Sequence, residues 1–304
     1  MIWTRRRFLK ASAAGLAAGI LLPNPRIRAQ RLQGFQEIRR GVGTFEGEGG
    51  TIGWLVNDGG AVVVDSQFPD SAADCVTGLE ERGGLPIDAL INSHHHGDHT
   101  AGNGVFRDVS GMIVAHRRVP ELQREAARAD GSEEDQTYPD TTFDDSWSLE
   151  VGDEVVRASY YGPAHTSGDA TIHFQEADVV HMGDLVFNRL YPFIDRAAGA
   201  SVQGWIELLE AVVDDHSSET VYIFGHGQPG FGLTGGPDDL RHQRDFFTAL
   251  LEEAEAGVSA GRSREEVAAA DELPGFPDHV GPSDFLSLGR ALEAAYDEVS
   301  EGNR

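Results

Sequence analysis

Residues 94–99 read His-His-His-Gly-Asp-His, two polar residues beyond a short, mostly apolar run that ends at Ile91. That order constrains the fold more than any other stretch, because it requires a buried strand to end at a polar site. The run Ile87 to Ile91 predicts the strand. Side chains alternate along an extended backbone, so His94 and His96 face one way and His95 the other. Gly97 permits a turn past the strand end, from which Asp98 and His99 can point back to the same spot. Neutral imidazole and carboxylate are the ligands zinc prefers where thiolate is absent. A purification tag would be terminal and would not follow a core strand.

Three later segments carry partners of the same chemistry. His165 lies in the turn-rich segment Gly162 to Asp169, Asp184 follows the apolar pair Val179-Val180, and His226 follows Val221 to Phe224. Each comes after a strand-like run, and strand ends are where groups distant in sequence converge. Asp169, four residues beyond His165, is expected to orient it through a hydrogen bond. His95 is expected to support or pack against the cluster. His116, His173, His181, His216, His242 and His279 lack such context and are expected on surfaces or in the core.

Extended runs are predicted at Glu37 to Phe45, Thr51 to Asn57 and Ala61 to Ser66, with a helix from Pro69 to Arg82. A second set of strands recurs at 146–149, 154–161, 170–175, 179–182 and 221–224, with helices at 202–213, 240–255 and 283–299. Strands with flanking helices in both halves predict an α/β fold, two mixed sheets sandwiched between helical layers. Residues 30–304 are expected to form a single domain, a normal size for one layered unit. In the last helix Phe285, Leu286, Leu288, Leu292 and Tyr296 are expected to be buried. Cys75 is the only cysteine. It excludes an intrachain disulfide and is expected to be a small core residue.

With those residues in view, the chain resembles the metallo-β-lactamase-fold hydrolases. Their HxHxDH signature is matched by His94, His96, Asp98 and His99, their third His motif by His165, their bridging Asp by Asp184 and their last His by His226. The resemblance covers about residues 35 to 230. It implies the αββα metallo-β-lactamase fold and two Zn2+ per chain, although iron or manganese suits such ligands too. His94, His96 and His165 would form the first site, and Asp98, His99 and His226 the second. Asp184 would bridge both. Asp98 would also serve catalysis by orienting the attacking water. Asp184 stands where many β-lactamases of this fold carry Cys, which is similar to the wider hydrolase superfamily, including glyoxalase II and lactonases. The run Gly183 to Arg189 resembles periplasmic zinc hydrolases associated with quinoprotein or sulfur-oxidation systems.

Thr4-Arg5-Arg6-Arg7-Phe8-Leu9-Lys10 matches the twin-arginine export motif, and the apolar stretch Ala11 to Leu22 is too short to span a membrane. Residues 1–29 are therefore expected to be a signal peptide read by the twin-arginine translocase. The product would be periplasmic or otherwise exported, without stable membrane insertion. The chain has 50 acidic and 24 basic residues, a net charge of −26. Such a surface repels nucleic acid and disfavours anionic substrates.

Together these features predict an exported dinuclear zinc hydrolase acting on a small molecule. It would cleave an ester, thioester, lactone or amide by metal-hydroxide attack on a carbonyl. A true β-lactamase is the first alternative. Glyoxalase II or persulfide dioxygenase activity is a related one, and export argues against both. A non-catalytic metal-binding accessory protein of a periplasmic redox system is an alternative of another class. Arg189 and Arg196 are the expected anchors for a substrate carboxylate, and Trp54 the expected residue of a flap over the site.

Overall fold

The computed structural model describes residues 34–302. The expected export segment, residues 1–29, lies outside them. Among the described residues, the centre is built from two large sheets. In the first, β1 (Phe35–Arg39), β2 (Val42–Phe45), β3 (Ile52–Asn57), β4 (Gly60–Val64), β5 (Ala89–Asn92), β6 (Ile113–His116) and β7 (Thr141–Phe143) lie side by side in chain order. The first four pair antiparallel, and β4 to β7 pair parallel. Parallel neighbours need a crossover. Helix α1 (Pro69–Glu81) supplies it between β4 and β5, and α2 (Val119–Asp130) lies between β6 and β7.

The second sheet holds β8 (Ser146–Val151), β9 (Glu154–Ser159), β10 (Thr171–Phe174), β11 (Val179–His181), β13 (Val221–Ile223) and β15 (Thr234–Gly235), in the order β15-β13-β11-β10-β9-β8. It too is mixed, since β11 and β13 run parallel while the other pairs are antiparallel. A two-residue pair, β12 (Phe187–Asn188) with β14 (His226–Gly227), sits apart from both. Helices α3 (Val202–Asp215), α4 (Pro237–Ser259), α5 (Arg264–Ala268) and α6 (Leu288–Gly302) cover the outer face.

Alternation places the core. Val62 and Val64 of β4 face the second sheet and pack with Val156, Ile172 and Phe174. Ala61 and Val63, one residue out of phase, face Ala72, Cys75 and Leu79 of α1. The other face of the second sheet meets Trp205, Leu209, Phe247 and Leu292. Burying one such side chain contributes roughly 1.5–3 kcal/mol. A one-residue slip would exchange the two sets, so the register is strongly specified. The αββα sandwich expected from the strand and helix pattern is what forms.

Two expected elements differ. The run Glu37 to Phe45 is a hairpin, because Arg40 and Gly41 both take positive φ (51° and 74°) and turn the chain between β1 and β2. The last helix starts at Leu288 instead of Ser283. Ser283 accepts from the Leu286 amide in a local turn, and the hydroxyl of Ser287 accepts from Arg290 N at the true helix start. Phe285 is thereby left outside the helix and 57% exposed, not buried as its spacing predicted. Cys75 is buried in α1, and burial pushes its thiol far above the usual range. Among the described residues, no helix is long and apolar enough to cross a membrane.

Candidate metal centre

Strand β5 ends at Asn92 and delivers Ser93 to His96 to one edge of the sandwich. A helical turn, Gly97–Thr100, then folds Asp98 and His99 back. Two contacts hold that loop. The amides of Asn92 and Asn103 exchange hydrogen bonds at 3.0 and 2.9 Å, and Thr100 Oγ1 donates to the carbonyls of His95 and His96. His165 arrives from the loop after β9, Asp184 from the turn after β11, and His226 from β14.

These seven side chains form two groups that could hold metal ions, His94, His96, His165 and Asp184 in one, Asp98, His99, His226 and Asp184 in the other. In the first, His96 Nδ1 lies 3.1 Å from His94 Nε2 and 2.9 Å from His165 Nε2. Asp184 Oδ2 is 3.8 Å from His94 Nε2 and 3.6 Å from His165 Nε2. In the second, the other oxygen, Asp184 Oδ1, is 2.9 Å from His99 Nε2 and 3.3 Å from His226 Nε2. Asp98 Oδ2 completes it, 3.1 Å from His226 Nε2. One carboxylate thus faces both groups, one oxygen to each. His99 Nε2 and Asp184 Oδ1 are buried and close, yet neither makes a hydrogen bond. Buried polar atoms are normally paired. Orphaned donor atoms aimed at a common point, all of them imidazole nitrogen or carboxylate oxygen, fit a divalent metal.

The far side of four of the five imidazoles, those of His94, His96, His99 and His165, is tied down. Asp65, fully buried, accepts from Ser93 N at 2.7 Å and Ser93 Oγ at 2.8 Å, and its Oδ2 lies 2.7 Å from His99 Nδ1. Ser93 Oγ is also 3.0 Å from His94 Nδ1. His165 Nδ1 donates to the Phe193 carbonyl at 2.8 Å, and His96 Nε2 lies 3.0 Å from Asp195 Oδ2. Such contacts fix ring orientation and leave the opposite nitrogen for a cation. His95 Nε2 stands 3.8 Å from the same Asp195 oxygen. Because His95, His96 and Asp195 share His96 with the first group, they buttress it. Asp65 and Asp195 were not predicted. Asp65 ends the apolar run of β4 beside β5, and an acid at the end of a buried strand was the available signal.

The surrounding backbone fits closely. A Cβ on Gly50 would strike the His99 ring, and one on Gly225 would strike Asp184 Oδ1. Burial opposes charge throughout the site. It wins at His94 and His165, the latter brought down to about 4, so both imidazoles are neutral ligands at pH 7. At His226 burial loses to Asp184 and Asp98, which push the imidazole up to about 9. Burial likewise opposes the charge of Asp184, but His226 and His99 hold its carboxyl well below the usual carboxylate range.

Histidines away from the cluster are also kept neutral by burial, His279 down to about 3 and His116 to about 4. In the unfolded chain they protonate near pH 6.5. Their contribution to stability is complete above that value and is lost as pH falls towards 4. The melting temperature of chelator-treated protein is therefore expected to drop steadily from pH 7 to pH 5. A flat profile would contradict these assignments.

Other expected site residues make different contacts from those expected. Asp169 does not touch His165. Its oxygens accept from Thr166 N and Oγ1, both at 2.7 Å, closing the loop beside His165. Trp54 is 3% exposed and packs near Phe35 on the α1 side of the first sheet, so it forms no flap. Arg189 donates to Asn188 Oδ1, faces Asp239 and lies over the Phe231 ring. Arg196 is bound by Glu298, Glu301 and the Ala200 carbonyl. Both guanidinium groups are thus engaged by partners within the chain.

Comparison with known proteins agrees with this geometry. The family described as the metallo-beta-lactamase superfamily matches residues 46–241. A hydroxyacylglutathione hydrolase of Maricaulis maris is 25% identical over 214 residues, 66% of this chain and 72% of the relative. A type 2 metallo-beta-lactamase of Bacillus cereus is 25% identical over 192 residues, 62% of this chain and 72% of that one. Among solved structures, a sec-alkylsulfatase from Pseudomonas sp. superposes with a TM-score of 0.68 at 18% identity, over 87% of this chain. This chain spans about half, 50%, of that longer protein, and the likeness is one of fold.

Proposed function

The chain belongs to the metallo-β-lactamase superfamily, and on that premise we propose that it is an exported dinuclear zinc hydrolase acting on a carbonyl substrate, an ester, thioester or lactone. The observation that carries this is the split of Asp184, one buried oxygen toward each histidine group. His94, His96 and His165 would hold one ion, and Asp98, His99 and His226 the other. When bound, the two ions supply an acidified water as nucleophile and a Lewis acid for the carbonyl oxygen.

The chain's own residues do the rest. Asp65, Ser93, Asp195 and the Phe193 carbonyl hold the imidazoles in register, so the donor set is organised before substrate arrives. Asp98 and His226 are the more open members, with side chains 30% and 25% exposed, and mark the side from which substrate enters. Burial opposes the charge of Asp98, yet His99 and His226 lower its carboxyl. It therefore remains ionised and accepts a hydrogen bond from the attacking water, orienting it without taking its proton. The hydroxyacylglutathione hydrolase relatives, named for a thioester, support this substrate class. Export rests on the twin-arginine motif and would place the enzyme outside the cytoplasm.

The test offers zinc-loaded protein a chromogenic ester, a thioester and a chromogenic cephalosporin. Turnover near or above about 10⁴ M⁻¹s⁻¹ on the ester or thioester, an ordinary enzyme efficiency, is expected, together with its loss in Asp98→Asn. Efficient turnover of the cephalosporin alone would make the protein a β-lactamase. Full metal loading with no turnover of any of them would favour an accessory role. Asp195→Asn is expected to weaken one zinc site about 10–100-fold, the usual effect of losing an orienting partner, and to spare the other. Zinc titration monitored by a competing chelator reads both sites. Equal weakening of both would contradict the assignment of Asp195 to His96.

A further inference from the structure

A run of ring contacts leads from one exposed aromatic side chain to the metal centre. Among the described residues, the large exposed apolar side chains are Phe68, Phe231, Val280 and Phe285. Phe231 follows His226 and gives its carbonyl to Asn188, while Val280 pairs with Leu190, shortly after Asp184. Phe285 lies against Phe193 with ring centroids 4.3 Å apart. Phe193 in turn lies 5.4 Å from the His96 ring and 6.1 Å from that of His165.

A cleft of about 280 Å³ opens at this pair, with Pro192, Ile194 and Ala294 in its walls. Three arginines also line it, and all are paired. Arg196 meets Glu298 and Glu301, Arg264 meets Asp297 and Glu293, and Arg290 meets Glu293. A substrate carboxylate would meet Glu293 and Asp297 in the same walls, against a net charge of −26. An uncharged apolar group meets two aromatic rings and has no such repulsion to overcome.

We propose that the Phe193–Phe285 cleft receives the apolar, uncharged part of the substrate, so that the enzyme prefers neutral substrates with a hydrocarbon chain or ring. This specificity rests on the hydrolase reading above. Two measurements keep the claims separate. The first follows zinc-loaded protein on p-nitrophenyl acetate, p-nitrophenyl hexanoate and the mono-p-nitrophenyl ester of a dicarboxylic acid. The hexanoate is expected to be preferred about tenfold in kcat/KM, mainly through KM, with the anionic half-ester poorest. Phe285→Ser is expected to erase the chain-length preference by raising KM for the hexanoate. Circular dichroism and zinc content serve as the folding controls.

The second measures fluorescence of the neutral probe N-phenyl-1-naphthylamine bound to the metal-free protein. Affinity is expected to fall about tenfold in Phe285→Ser, the order of one lost aromatic contact. Unchanged probe affinity, or a chain-length preference that survives the substitution, would overturn the proposal. Probe binding that depends on Phe285 without turnover of any ester would uphold the cleft and count against the carbonyl-hydrolase reading.

Discussion

Asp184→Asn is expected to lower hydrolysis by at least about 10³-fold and to leave the purified protein with fewer than two metal ions. Each carboxylate oxygen faces a different histidine group, Oδ2 near His94 and His165, Oδ1 near His99 and His226. An amide keeps the shape, removes the charge and turns one acceptor into a donor of two protons. That NH2 must point either at one cation or at the other. Several kcal/mol of transition-state stabilisation are lost when a metal is lost, and each 1.36 kcal/mol is tenfold in rate. Metal content by mass spectrometry and turnover on the same sample check this, with circular dichroism as the folding control. Two bound ions and more than a tenth of the activity would contradict the bridging assignment.

Chelation is expected to lower the melting temperature by at least about 10 °C, and added zinc to restore it. Without metal, Asp184 keeps its negative charge in a buried site shared with several imidazoles. A ligand at 1,000 times its Kd stabilises the native state by about 4 kcal/mol. In a domain of this size each kcal/mol moves the melting temperature by about 2–4 °C. Calorimetry with and without chelator reads the shift. An unchanged or higher melting temperature after chelation would show that the cluster does not bind metal tightly in the native state.

The donor set was legible because its chemistry is local. His94, His96, Asp98 and His99 fall within six residues, and His165, Asp184 and His226 each follow an apolar strand. All seven converge in the fold. What supports them was not legible, because it depends on tertiary neighbours. Asp65 reaches His99 only because β4 and β5 lie side by side in parallel. Arg189 and Arg196 were the expected site residues after Asp184, yet between them it is Phe193 and Asp195 that reach the site, while Arg196 is held by Glu298 of α6, more than a hundred positions away. Glu298 also accepts from Ser201 Oγ and from the amides of Val202 and Gln203, capping α3 from that distance. No local pattern announces such a contact. Trp54 fits the same account. Strand alternation gives it two faces to choose from, and the choice follows from the packing of α1 on the first sheet. For Phe285, helical spacing was mistaken for helix. Pro282 and the local turn at Ser283 delay the helix to Leu288, and the ring is released to pack on Phe193.

The most direct test of the central claim is a zinc titration of metal-free protein followed by p-nitrophenyl ester hydrolysis. The dinuclear account predicts turnover that rises with added zinc and reaches a plateau at about two ions per chain, the number the two donor groups sharing Asp184 would hold. A plateau at one ion would remove the second site from the chemistry. Undiminished activity without metal, or none after both sites are filled, would contradict the account.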